Sequence, residues 1–400
     1  MTAVESNGLI HNVHEAPFPD ADILDVISLL SPDEQEQLLK IRQHLQDNIR
    51  KQVIEYWNRE EFPFEMLPAL GDLGLGELAV SDCSWLFRGL VYAEVARVDV
   101  SLCALVGIHN ELILGMVDQL GSDAQRAQWL DKLRSFEATG CFAMTEPDHG
   151  SDVAGGMETT ATKTANGWII HGEKRWIGGG TFADFALVWA RDTDTENVKG
   201  FLVRMDLPGV SAEKISDKIG LRVIQNADIV FDNVELSDAD ALPGAAEFSA
   251  ANEMLRNSRI WVGWQAYGAQ MHAFDVARDY VLGRKQFGQP LAKFQLVQQD
   301  LAEMISNAMA SFGLMHQVAR LQAEGRVQMV HAAMAKSTGS RMLRDSAARA
   351  RNMLGGNGIV STYEAAKIFT DAEIVHTYEG TYEINSLIVA RAITGMSSFV

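Results

Sequence analysis

The sequence predicts an α+β protein of three successive domains, helical, then β, then helical, and three observations carry that reading. Apolar residues recur at helical spacing through residues 23–138. Across 139–242 the texture changes to short β-branched or aromatic runs separated by Gly, Asn and Asp, the pattern of strands. Long helical periods return over 243–400. A strand block flanked by helical blocks suits segregated layers rather than alternating βαβ crossovers.

Residues 1–22 mix polar side chains with Pro17 and Pro19 and have no sustained period, so they read as an extended arm. Ser31-Pro32-Asp33-Glu34 supplies an N-cap, a proline at the first helical position and a carboxylate three residues past the cap, which starts a helix running to about residue 57. Gly71, Gly74 and Gly76 mark a break in this helical region. Strands are expected at Thr159 to Thr164, Trp168 to His171, Phe185 to Ala190 and Phe201 to Met205. Asn166-Gly167 between the first two signals a hairpin, since both residues tolerate positive φ. The final helices are expected over Trp261 to Gly283, Gln295 to Glu324 and Val327 to Met353.

Four hundred residues, 47% of them hydrophobic, can bury substantial cores. A formal charge of −19 argues against broad nucleic-acid or anionic-membrane binding, because both need clustered cations. Any phosphate-bearing ligand must therefore meet local arginines. Cys83, Cys103 and Cys141 lack the spacing of a disulfide framework or a zinc site, and no metal is expected. No basic segment followed by an apolar one opens the chain, and Ser397-Ser398-Phe399-Val400 is not a peroxisomal tripeptide, so a soluble, cytoplasmic protein is expected. No Gly-x-Gly-x-x-Gly opens a helix after a strand, which argues against a Rossmann dinucleotide site.

Five segments carry candidate chemistry. His376-Thr377-Tyr378-Glu379-Gly380-Thr381 sets one carboxylate beside a glycine just before an apolar helical run, where it could be a base or simply a helix N-terminal acid. Phe142 to Thr145 could form a strand edge whose amides bind a flat heterocycle, or a plain strand ending at the Pro147 to Gly150 turn. Trp176, in Lys174-Arg175-Trp176-Ile177, could stack on a ring or lie in a core. The Arg284 fork in Arg284-Lys285-Gln286-Phe287-Gly288 suits a pyrophosphate. Gly355 and Gly356, in Leu354 to Gly358, could also be a helix C-cap.

In this order, and over nearly the whole chain from about residue 30, these segments resemble the acyl-CoA dehydrogenase family, FAD enzymes that desaturate acyl-CoA thioesters between Cα and Cβ. The resemblance is closest to the glutaryl-CoA dehydrogenase branch and to plant short-chain acyl-CoA oxidases. It implies an N-terminal helical domain, a middle flavin-binding β-barrel domain and a C-terminal helical bundle carrying the base, Glu379. FAD contacts are implied for Phe142, Met144, Thr145, Ser151, Trp176, Ile177, Gly178, Thr381, Glu383 and Phe399. Arg284, Phe287, Gln295, Asn352, Gly355 and Gly356 are implied to reach FAD across a subunit boundary in a homotetramer. For the substrate the resemblance implies Ser151, Tyr378, Gly380 and Cys103, with Asn257 and Arg259 at the thioester end of CoA.

The chain departs from the family at three of these positions. Gly178 stands where the family usually has Thr, which leaves a gap beside the site of electron transfer and keeps oxygen in play as acceptor besides an electron-transfer flavoprotein. Asn352 replaces the common Gln. Cys103 replaces the arginine that binds the distal carboxylate in glutaryl-CoA dehydrogenases, which disfavours glutaryl-CoA. A short- or medium-chain acyl-CoA is the expected substrate, with a short-chain acyl-CoA oxidase as the alternative. The −19 charge and the lack of a basic C-terminal domain weigh against the DNA-associated branch.

Overall fold

The computed structural model describes residues 22–398, so the arm expected over 1–22 lies, but for its last residue, outside the described residues, as does Phe399. The first helical layer comprises α1 (Pro32–His44), α2 (Arg50–Arg59), α3 (Leu67–Asp72), α4 (Trp85–Ala96), α5 (Val100–Gly107), α6 (Gly115–Leu120) and α7 (Asp123–Arg134). The predicted capping box closes α1: the Glu34 N–H donates to Ser31 Oγ and the Ser31 N–H to the Glu34 carboxylate. One wide π-type turn, Leu45–Ile49, joins α1 to α2, and another, Ile108–Leu114, joins α5 to α6. The glycine break near residue 74 has a steric cause. A Cβ on Gly71 would fall 2.7 Å from the Ser135 carbonyl oxygen and one on Gly76 only 2.3 Å from that of Arg134, so this turn lies directly against the end of α7. The stretch Val100–Leu120 is long and apolar enough to cross a membrane, but 94% of its apolar window is buried inside the protein, as befits a core helix.

The middle domain is a curled mixed sheet of β1 (Gly140–Ala143), β2 (Thr160–Thr164), β3 (Gly167–Gly178), β4 (Phe185–Asp192), β5 (Val198–Arg204), β6 (Val210–Lys214) and β7 (Asn226–Leu236), with the short helix α8 (Val153–Gly156) between β1 and β2. Its hydrogen-bonded order is β1-β4-β2-β3-β7-β6, with β5 on β4. The predicted hairpin joins β2 to β3, but Asn166 does not adopt positive φ. Gly167 (φ +144°) is the first residue of β3, and a Cβ there would lie 2.0 Å from the Leu236 carbonyl oxygen. Both its positive φ and the close approach of β7 demand that glycine. The β3–β7 register slips between Lys174 and Ile177, a bulge that turns Trp176 (φ +66°) out of the ladder.

The C-terminal bundle is built around α9 (Ser249–Gly283). The miniature hairpin β8 (Lys285–Gln286) and β9 (Gln289–Pro290) follows, then α10 (Gln295–Ala323), α11 (Met329–Met353), α12 (Ala365–Thr377) and α13 (Tyr382–Thr394). Helix α9 packs on α10, α11 and α4. Against α4, the Trp264 ring lies so close to Gly89 that a Cβ would sit 2.1 Å from it. A buried polar cluster ties the three layers together. Lys367 of α12 pairs with Asp99, the N-cap of α5, at 2.6 Å and with Asp371 at 2.7 Å. Asp371 in turn accepts from the Trp57 indole and from the Leu221 backbone in the segment between β6 and β7.

Candidate active site

Glu379 sits in the tight turn between α12 and α13, half-buried, with φ +54° followed by Gly380 at φ +78°. A glutamate in the left-handed region is strained unless its surroundings hold it there. Three side chains do. The fully buried Lys336 of α11 donates to the carbonyls of His376 at 2.9 Å and Gly380 at 2.7 Å, on either side of Glu379. Asn385 of α13 donates to the carbonyls of Gly380 and Thr381 and accepts from Arg259 Nε at 3.1 Å. Ser258 of α9 donates its hydroxyl to the Glu379 carboxylate at 2.6 Å. The Thr381 hydroxyl caps α13 by accepting from the Ile384 N–H.

The surrounding charges are unusual. Burial depresses the Lys336 ammonium to about 7, with Glu379 opposing that shift and Arg259 adding to it. Burial also pushes Arg259 below its ordinary value, with Glu379 again opposing. Tyr378, whose hydroxyl donates to Gln265, is raised well above the usual phenol range, mainly by burial. Around the Glu379 carboxylate thus lie two desolvated basic groups, Lys336 and Arg259, and a neutral phenol.

A second group lies on the sheet. Phe142 is a half-buried residue of β1, and Met144 and Thr145 follow the strand directly. The Thr145 carbonyl accepts from the Arg175 N–H at 2.8 Å, so this segment is tied to the bulge that presents Trp176. Beneath the bulge, Lys174 is fully buried and donates to the Met144 carbonyl at 3.0 Å and to Glu146 at 2.8 Å. Glu146 also accepts from the Glu158 and Thr159 amides. Trp176 is 51% exposed despite its size, with the Arg175 guanidinium over its ring at 5.1 Å, so the core reading of this tryptophan does not hold. Ile177 is buried, while Ser151 is exposed.

At Gly178 the structure corrects the expected gap. A Cβ there would lie 3.0 Å from Ile108 Cδ1 and 3.3 Å from Ile224 Cδ1, so two isoleucines already take that space. Arg284, Phe287, Gln295, Asn352, Gly355 and Gly356 are all exposed, Phe287 at 93%, and no atom lies within 4 Å of a Cβ built on Gly355 or Gly356. Thr381 and Glu383 stand at the start of α13 beside the base turn. Asn257 and Arg259 are not brought together: Arg259 lies against Gly380, whereas Asn257 lines a cavity of about 10 Å³ with Arg88, Tyr92, Glu111, Trp261 and Trp264. Cys103 is fully buried and its thiol donates to the Tyr92 carbonyl at 3.3 Å.

Sequence reasoning missed Lys336, Ser258, Asn385 and the Lys174–Glu146 pair. A signal for Lys336 existed: it falls on the buried stripe Ala332, Ala335, Lys336, Gly339, Leu343 of α11, where a lysine must find carbonyls or a carboxylate.

The fit of a flavin rests on this donor set. An exposed indole beside a strand end, two glycines with clear space and an exposed arginine in an acidic chain match a large heterocycle bearing a pyrophosphate. Fold and site together fit an FAD-dependent oxidoreductase. The acyl-CoA dehydrogenase N-terminal domain matches residues 31–137, the middle domain 141–234 and the C-terminal domain 248–394, so the chain belongs to the acyl-CoA dehydrogenase family. It is 32% identical over 365 residues to the mitochondrial short-chain specific acyl-CoA dehydrogenase of Mus musculus, 88% of either chain. A glutaryl-CoA dehydrogenase from Mycobacterium smegmatis in complex with FADH2 superimposes with a TM-score of 0.92 at 31% identity, covering 96% of this chain and all of that one. Butyryl-CoA dehydrogenase from Megasphaera elsdenii gives 0.86 at 28% identity, covering 91% and 98%. The protein is thus an FAD-dependent oxidoreductase acting on acyl-CoA.

Proposed function

We propose that this protein converts a short- or medium-chain acyl-CoA to its trans-2-enoyl thioester, with Glu379 removing the α-proton and an electron-transfer flavoprotein as the electron acceptor. The observation that carries the reading is the Glu379 turn: a carboxylate held at φ +54° by Lys336, with Ser258 on one oxygen and Arg259 beside Gly380. The α-hydrogen of a thioester is weakly acidic, so its removal needs a desolvated, positioned base. Ser258 orients the carboxylate, and the left-handed backbone at Glu379 and Gly380 lets the thioester approach the main chain. Arg259 takes the thioester end of CoA, with Tyr378 and Gly380 against the substrate.

FAD, when bound, supplies the acceptor for the Cβ hydride. Phe142, Met144, Thr145, Ser151, Trp176, Ile177, Gly178, Thr381 and Glu383 would hold it within one subunit. Arg284, Phe287, Gln295, Asn352, Gly355 and Gly356 would serve a neighbouring subunit of a homotetramer. A reducing, cytoplasmic setting suits the three free cysteines.

Glu379→Gln tests the assignment: the variant is expected to stay folded and yellow while turnover falls by a factor of about 10⁴ or more. Full activity would remove Glu379 from the mechanism. Anaerobic titration with acyl-CoA thioesters followed by air separates the acceptors. Bleaching that persists in air supports the dehydrogenase, and rapid reoxidation with peroxide marks an oxidase.

A further inference from the structure

The base turn abuts a buried indole whose contacts set how deep an acyl chain can run. Trp261 lies on α9 three residues after Ser258, so the two side chains leave the helix on the same side. Ser258 reaches Glu379, and the Trp261 ring packs on that of Tyr378 with centroids 6.0 Å apart. Tyr92 of α4 closes the next side at 6.4 Å. Below the indole lies Gly107, the last residue of α5, where a Cβ would fall 2.5 Å from the ring. Trp261 is 1% exposed and its indole N–H has no hydrogen-bond partner among the described residues, so packing alone places the ring.

The next residue, Ile108, faces the other way and takes the space beside Gly178 on β3. Gly107 and Ile108 therefore bridge from the indole to the strand that carries Trp176, and the Tyr378-Glu379 turn bounds the same region.

We propose that Trp261, seated on Gly107, is the floor of the acyl chamber and restricts the substrate to short acyl chains of the butyryl class. The inference rests on Glu379 being the base, since that fixes which end of the chamber holds Cα. A chain extending past Cβ then meets an aromatic surface that cannot retreat, because backbone lies behind it. Each methylene forced into such packed space changes selectivity by about 10-fold or more.

The test is kcat/KM of the FAD-loaded enzyme for butyryl-, hexanoyl- and octanoyl-CoA, in the natural protein, Trp261→Phe and Trp261→Ala. The natural protein is expected to prefer butyryl- over octanoyl-CoA by about 100-fold or more, and Trp261→Ala to shift that ratio toward octanoyl-CoA by about 10-fold or more. Trp261→Phe should fall between them. Octanoyl-CoA turned over as well as butyryl-CoA by the natural protein overturns the proposal, whether or not the alanine variant folds. So does a folded, yellow Trp261→Ala with an unchanged ratio. Failure of the underlying reading looks different: no thioester of any length bleaches the flavin, or Glu379→Gln keeps full activity.

Discussion

Two fully buried lysines support the two halves of the site, and they are compensated in opposite ways. Lys174 lies beneath the Trp176 bulge and meets a carboxylate, Glu146, at 2.8 Å. Lys336 lies behind the Glu379 turn and is hydrogen-bonded to two backbone carbonyls. Burial pushes Lys174 down to about 8, with Glu146 opposing that shift. Burial also works against ionisation of Glu146, but Lys174 and the hydrogen bonds from Thr159 and Glu158 outweigh it and hold the carboxyl below its ordinary range. That pair is closed on itself. The Lys336 charge is answered across the turn by Glu379, so the same side chain that shapes the loop also faces the base. A buried cation can thus serve the scaffold alone, or scaffold and chemistry together.

The largest expected effect breaks the closed pair. Lys174→Met leaves Glu146 buried without its cation, and removing one partner of such a pair costs about 3–5 kcal/mol. Thermal unfolding should shift down accordingly, with weaker flavin retention because the Met144 carbonyl and the bulge lose a shared anchor. An unchanged melting temperature would mean that the two amide donors suffice for Glu146. Next comes Lys336→Met. It frees the carbonyls flanking Glu379, and a base misplaced by even 1 Å loses about 100-fold in rate. The drop should appear in kcat for flavin reduction more than in KM, and a raised KM with unchanged kcat would assign Lys336 to binding instead.

The smallest effect sharpens the comparison through pH. A lysine depressed on folding is protonated in the unfolded chain and neutral in the folded one between its two values. Its contribution to stability therefore rises with pH across that window, by about 1.4 kcal/mol per unit. For Lys336 the window opens near pH 7 and for Lys174 only near pH 8. The stability lost in Lys336→Met should accordingly grow between pH 7 and pH 9. Unfolding free energies for both proteins at the two pH values check it, and a constant difference would show that Lys336 does not titrate there.

Much of the architecture was legible because it is written in local patterns. Apolar period, the Ser31 to Glu34 cap and the strand texture after residue 139 depend on neighbours a few residues apart, and all reappear in the fold. The Glu379 turn was legible as a motif before a helix. The bulge that exposes Trp176 was not, because it arises from a register slip against β7, some 50 residues on. Nor was the loss of space at Gly178, where a family comparison suggests a gap and Ile108 and Ile224 fill it.

By itself, then, the sequence determined the order of helical and strand domains, the family, the FAD requirement and the candidate base, since each rests on short local patterns and on their order along the chain. Only the tertiary structure decided how that base is held and what surrounds it. Lys336 lies 43 residues from Glu379, Ser258 lies 121 away, and Trp261 meets Gly107 from 154 residues further along the chain. Burial converts these ordinary residues into a positioned ammonium, a hydrogen-bond donor and a rigid floor, and burial is a property of packing rather than of any segment.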